Sequence, residues 1–439
     1  MTRLSIVVPL LSAAVAMAAD EWPQFRGPDG QGHVRGPAIP VTWSATDNVR
    51  WKTAIPGHGH ASPVITGNVA WLITAVETPL SAAEQKKRLS KLKNSNGLEV
   101  SGKLSLQAVA VDIVSGKQLH VVELLQVAEP EPIHVLNSYA SPTPVLAAGR
   151  LYVHFGTYGT VCLDTSTRKV VWRRTDINVD HQNGPGSSPI VWNDLLIVHC
   201  DGIDSQFVTA LKLNDGSDQW KSRRSGKMNA RPEFRKAYST PVIVDVAGED
   251  VLISPGADWT YAYDPATGRE LWKEPYGQLG FSTVPRPVVG HGLVYVCTSY
   301  MKSRLLAVRY DSSGDRVAWQ SDSQIPKKPS LMLVGDALYF VSDGGVATCL
   351  DALTGEQRWR QRLGGQYSAS PIYAGKFVYF FSQDGKTTVI QPGTTFKKVA
   401  VNQLDEALMA SPAAVNGALF LRGDKHLYCI QAGDDAAGS

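Results

Sequence analysis

The sequence has no excess of either charge. Its 439 residues carry 43 Lys and Arg against 40 Asp and Glu, with no long run of one sign, so it lacks the electrostatic footprint of a nucleic-acid-binding chain. It also lacks His-Glu-x-x-His, Cys-x-x-Cys, Gly-x-Ser-x-Gly and a phosphate loop, and with them the common catalytic motifs. Only one apolar run is prominent, residues 4–15, and it is too short to span a bilayer as a helix. Arg3 before it and Ala16-Met17-Ala18-Ala19 after it predict a secretory signal over residues 1–19. No Cys follows that signal, so a bacterial lipid anchor is not indicated, and no later segment predicts a transmembrane helix. A periplasmic or secreted product is expected.

What the chain does have is a repeat. Residues 346–385 contain an alternating run to Leu350, then Asp351, Gly355 and Trp359, then Ser370-Pro371, a second apolar run and Asp384-Gly385. Short β-type runs between Asp, Gly and Pro clusters read as four strands joined by tight hairpins. The step from Asp to Gly to Trp returns at Asp264, Gly268 and Trp272, and in part at Asp112 and Gly116, at Gly216 and Trp220, and at Asp164 and Trp172. Departures are His120 for Trp, Lys212 for Asp, Arg168 for Gly, and one extra residue between Gly314 and Trp319. A Pro after small residues opens each repeat, at Pro63, Pro144, Pro189, Pro241, Pro287, Pro371 and Pro412, with Leu331 in the remaining slot. The openers lie about forty to fifty residues apart except for a longer first interval, and such a period with several strands marks a propeller. The fold class is therefore all-β: an eight-bladed propeller of four-stranded antiparallel blades.

The ends suggest how the ring closes. Residues 20–48 are rich in Gly and Pro without periodicity and read as an N-terminal arm, followed by one propeller domain over 49–431 and a disordered tail over 432–439. Val49-Arg50-Trp51-Lys52 resembles the last strand of a repeat before any repeat has begun, while the unit from Ser411 through Ile430 stops without its Trp strand. The early strand should complete the last blade, because closing a ring removes sheet edges. In the long first repeat, between strands at 69–74 and 107–111, Ser81 and Glu84 have capping-box spacing and predict a helix over 82–93. Loops at 176–184, 221–236 and 321–328 fall at blade ends, where binding groups concentrate.

The five Cys are an odd number, but Cys162, Cys349 and Cys429 occupy one repeat slot and Cys200 and Cys297 another. Equivalent slots in different blades are too far apart to bridge, so all five are expected to be reduced and buried.

The repeated Asp-x-x-x-Gly-x-x-x-Trp with its Ser-Pro opener resembles the tryptophan-docking repeat of quinoprotein-type, or PQQ-like, eight-bladed propellers, from Trp22 to Gln431. Trp22 through Pro28, Phe155 through Thr160 and Val284-Pro285-Arg286-Pro287 are similar to an exported subfamily typical of planctomycete-like bacteria. The resemblance implies two kinds of role. Quinoprotein alcohol dehydrogenases hold pyrroloquinoline quinone over Ca²⁺ in the channel with Glu, Asn and Asp ligands, a catalytic Asp and a ring of adjacent Cys. This chain has no adjacent Cys pair. The propeller lipoprotein of outer-membrane barrel assembly instead binds protein, and here its lipid-bearing Cys is missing.

Candidate site residues fall into three groups. His58 and His60 alternate, so they share a face if extended and could supply two metal ligands, or lie in a Gly-flanked loop. His181, Arg231, Arg235 and Arg286 are read either as a cationic mouth for an acidic ligand or as structural hydrogen-bonding groups. Tyr139, Tyr238, Phe281 and Tyr367 precede the strands nearest the channel and either stack on a planar or sugar-like ligand or pack between blades. Asp201-Gly202, Asp343-Gly344 and Asp384-Gly385 are read as hairpin turns. The reading is a monomeric, non-catalytic binding module for a protein or carbohydrate partner at its loop face, with no cofactor expected. The alternative is a dehydrogenase using pyrroloquinoline quinone with Ca²⁺.

Overall fold

The structure, a computed structural model, describes residues 21–277, 280–312 and 314–432, so the predicted signal and nearly all of the predicted tail lie outside the described residues. Eight four-stranded antiparallel sheets form the blades. Each of the eight openers stands immediately before an innermost strand, from Pro63 before Val64–Thr66 to Pro412 before Ala413–Val415. Pro has no N–H to donate and is tolerated where a strand begins, which is why it can mark this position. The repeat read over 346–385 is real but straddles two blades. Val346–Asp351 and Gln357–Arg362 are the outer strands of blade 6, while Ile372–Ala374 and Phe377–Phe381 are the inner strands of blade 7.

The N-terminal strand Val49–Ala54 completes blade 8, pairing with His426–Ile430 so that Trp51 stands opposite Cys429. The same pairing of a large ring with a small residue recurs in other blades, as Cys162 with Trp172, Cys349 with Trp359 and Ala262 with Trp272. Each such Trp lies on the outer turn of the next blade. A Cβ at Gly116, Gly216, Gly268 or Gly355 would fall within 2.7 Å of the ring of Trp51, Trp172, Trp220 or Trp319. The indole N–H then donates to the carbonyl of Ile113, Leu213, Pro265 or Ala352. The repeat's departures follow the same geometry. His120 replaces Trp where Arg168 replaces Gly, and the two side chains meet at 3.0 Å; Arg316 covers Trp272 with its guanidinium 4.3 Å from the ring. Blade 7 has Ala400 in this slot and blade 8 has no outer turn for a Trp to meet, because its last strand comes from the N-terminus.

All five Cys are free and buried. The predicted capping box of Ser81 and Glu84 forms, but the helix runs only Ala82–Leu89, ending before residue 93. Much of the long first repeat is strand: Val69–Thr78 and Lys103–Asp112 pair over ten residues, well beyond the predicted bounds. A further two-stranded sheet, Leu98–Glu99 with Ile133–His134, ties this excursion to the next connection.

Candidate functional site

The channel is framed by the residues that precede the openers. The backbone N–H of Ser62 donates to the Thr143 hydroxyl, Thr143 to Ser188, and Ser188 to Thr240. The series breaks between blades 4 and 5 and resumes at blade 5, with Arg286 donating to Ser330, Ser330 to Ser370 and Ser370 to Ser411. These bonds run from blade to blade around the inner rim at 2.8–3.1 Å. Seven of the eight slots hold Ser or Thr and one holds Arg286.

One end of the channel is crossed by the arm. The backbone of Trp22 pairs with Ile65 in blade 1, and the Pro23 carbonyl accepts from Leu146 in blade 2. Two residues on, the Phe25 carbonyl accepts from Arg286 Nη1 in blade 5 at 2.6 Å. Blades 2 and 5 are three positions apart in the ring of eight, so the chain between these residues bridges that end of the channel, met by the long side chain of Arg286. Arg26 then donates to the carbonyls of Gln31, Leu331 and Pro371, and the backbones of Gly32 and Val34 pair with Tyr373 in blade 7. This end also carries the turns within each blade that join the first two strands and the last two. The connections between blades emerge at the opposite end, which is the loop-rich face.

Arg286 belongs to the capped end and does not join His181 or Arg235. Its guanidinium lies against Gly30, and burial lowers it to about 10 although Asp29 acts in the other direction. Arg235 turns back on its own loop, donating to the carbonyls of Asn229 and Ala230, while Arg231 pairs with Glu233 on the surface. His181 is buried against Gly156 with neither ring nitrogen hydrogen-bonded, and burial outweighs nearby Asp204 to lower it to about 4. Tyr238 joins it, donating its hydroxyl to the His181 carbonyl at 2.6 Å. Tyr139 is buried with its hydroxyl on the Glu131 carbonyl and its ring edge-on to Tyr158. Tyr367 is fully enclosed, and Phe281 is stacked on Phe234 at 4.6 Å.

His58 and His60 meet edge to face with centroids 4.7 Å apart, and Glu77 lies 3.9 Å from His58. Burial, then the charges of His58, Arg422 and Lys328, lower His60 to about 3. Lys328 belongs to blade 6, pairs with Asp343 at 3.5 Å, and its charge also lowers His134 near blade 2. That ammonium therefore acts across the loop-face mouth. A polar cleft of about 660 Å³ opens beside it, between blades 5 and 6, and Arg304, Lys327 and Asp322 are among the side chains on its wall. The rim of this face exposes Val135 and Leu136 (51% each), Tyr300 (59%) and Met301 (54%).

A buried polar cluster joins blades 3 and 4. Asp201 accepts from His199 at 2.8 Å and from Arg224 at 3.0 Å, and Arg224 also reaches the Ser254 hydroxyl and the faces of Tyr261 and Tyr263. Burial would raise Asp201, but Arg224 and His199 outweigh it and hold the carboxylate low. Asp201 does sit beside a hairpin turn, as its sequence suggests. The missing signal was its side-chain direction, since a turn pattern does not say that a carboxylate points inward.

The closed ring, the blade-to-blade Trp contacts and the rim of hydroxyls define an eight-bladed propeller of PQQ-like repeats. The family model described as outer membrane protein assembly factor BamB matches residues 102–319 and 306–395, more than half of the chain, and the chain belongs to that family. Among solved structures, BamB from Moraxella catarrhalis is similar at 15% identity and TM-score 0.53, covering 82% of this chain and 98% of its own. Quinohemoprotein alcohol dehydrogenase from Comamonas testosteroni is similar at 11% identity and TM-score 0.66, covering 96% and 82%. A europium-containing methanol dehydrogenase matches at 11% identity and TM-score 0.52, covering 93% and 90%. At these identities the likeness is one of fold. The comparison with curated proteins returns no match.

Proposed function

We propose that this propeller is an exported, non-catalytic binding module that docks a protein partner on its loop-rich face. The observation that carries the reading is the difference between the two ends of the channel. The arm crosses one end, whereas the other presents exposed Val135, Leu136, Tyr300 and Met301 around a polar mouth. Apolar anchors within a polar rim are how protein interfaces are built, and aliphatic anchors suit a protein better than a sugar, which is held by flat aromatic faces. Family membership supports the same reading by analogy with assembly factors.

The channel serves a calcium-bound quinone less well. Among the described residues no group of three or more His, Cys, Asp or Glu is placed to hold a metal ion. The guanidiniums of Arg26, from the arm, and of Arg286, from blade 5, meet there and repel Ca²⁺, with Asp29 the one carboxylate acting on both. The docking reading is tested by placing a photo-crosslinking residue at Leu136, Tyr300 or, as a control on the capped end, Leu353 in the exported protein. Adducts with an envelope protein from the two loop-face positions alone are expected. Equal labelling from Leu353, or none from any position, removes the reading.

A further inference from the structure

Arg26 and Arg286 are both buried, 1% and 3% exposed, and close enough that the charge of Arg286 adds to burial in lowering Arg26. Among the described residues neither forms an ion pair; nearby Asp29 pairs instead with Arg35 and accepts the Gln31 N–H. A guanidinium has five N–H donors. Arg286 places one hydrogen bond, on the Phe25 carbonyl, and Arg26 three, all on carbonyls. The Nε of each is enclosed with no acceptor. Around them the hydroxyls of Ser330 and Ser370 accept backbone N–H groups, which leaves their own protons free to donate. Donors and two positive charges thus accumulate where the one nearby carboxylate, Asp29, acts on both arginines through space but pairs with neither. Buried charge in that state is costly, so it is ordinarily paired.

The composition of the rim sharpens the point. Seven slots hold a hydroxyl that accepts from, or stands in line for, the preceding blade, and only blade 5 replaces it with an arginine. A rim that needed only closure would carry Ser or Thr there too. We propose that Arg26 and Arg286 form a binding site for a small oxyanion, of phosphate or carboxylate type, beneath the arm. Bidentate N–H pairs of two guanidiniums suit such an anion, and the bound charge would fasten the arm to blades 5 to 7.

The test uses the mature full-length protein, with melting temperature and calorimetric titration measured in sodium phosphate, sulfate or acetate against sodium chloride at matched ionic strength. A saturable stabilisation by at least one oxyanion beyond chloride is expected; the phosphate, sulfate and acetate arms identify which oxyanion class is preferred. Arg286→Ser restores a hydroxyl to the odd slot, so it should fold, and it should weaken the response about tenfold or more. Arg286→Lys, which keeps the charge and loses the fork, should weaken it to an intermediate degree and stands in should the serine variant not fold. A melting temperature identical in all salts, or an undiminished response in the variants, overturns the site.

Discussion

Trp51 lies on Gly116: the first blade-forming strand of the chain places its indole against the outer turn of blade 1 and donates to the Ile113 carbonyl at 3.1 Å. Because Trp51 belongs to the sheet of blade 8, this contact closes the ring. Gly116 has φ +73°, and a Cβ there would come within 2.6 Å of the ring. Gly116→Ala therefore combines backbone strain with displacement of the indole and should cost roughly 2–4 kcal/mol. Gly67, at φ +53° with open space around it, offers the control. Gly67→Ala should cost only about 1 kcal/mol, from the backbone alone. Equilibrium denaturation of the two variants separates strain from packing, and equal losses would mean that the Trp51 contact carries no weight.

The thiols give a second prediction. Cys200 and Cys297 are completely buried and pushed well above the ordinary thiol range by burial, while Cys162 and Cys349 are raised to about 11. A protonated, enclosed thiol neither attacks nor is attacked. A thiol reagent should find no reactive group in the native protein and five after unfolding without reductant. Fewer than five would reveal a disulfide.

Acid should weaken the fold through its buried histidines while most carboxylates are still ionised, against the opposite contribution of Glu131, which burial raises to about 7. Burial is the leading cause that lowers His60 and His154 to about 3 and His181 to about 4. In the unfolded chain each titrates near 6.5. Between about pH 6.5 and 4 the unfolded state binds protons at these histidines that the folded state refuses, so their contribution to stability is complete above that window and falls as the pH drops through it. Each histidine should contribute roughly 1–3 kcal/mol of the loss. Urea midpoints measured from pH 7 to 4.5 should decline less steeply for His181→Gln than for the parent. Parallel curves would show that His181 is not the neutral buried group described.

How far the fold could be read in advance follows from what repeats. Pro63 through Pro412 locate the innermost strands because their missing N–H restricts them, and Asp351, Gly355 and Trp359 each have one geometric task that recurs. Arm residues obey no period, so the crossing from Pro23 to Phe25 could not be seen before the blades were in place. The site was harder still. The sequence groups Arg286 with His181 and Arg235 because all three lie by inter-blade connections, yet position along a connection does not say toward which end of the channel a long side chain turns. A signal was present all the same: aligned on the openers, Arg286 is the one residue among eight that is not Ser or Thr.

The last prediction separates binding from oxidation. An orthoquinone oxidises an alcohol only with a cation to polarise its carbonyl and a base to accept the substrate proton, inside an enclosure that excludes water. Tyr139 and Tyr367 are fully buried in the walls, and Arg286 spends its length reaching the arm. Placing Ca²⁺ beside Arg26 and Arg286 would add a third positive centre where two already share the single nearby carboxylate of Asp29, an arrangement that repulsion in a low-dielectric interior makes costly. Pyrroloquinoline quinone with Ca²⁺ should therefore leave the melting temperature of the purified protein unchanged and support no dye-linked oxidation of alcohols or aldoses. A rise of several degrees together with turnover would establish an oxidoreductase. A rise without turnover, abolished by Arg286→Ser, would mean that the quinone's carboxylates had entered the oxyanion site, so that the same two arginines explain binding without chemistry.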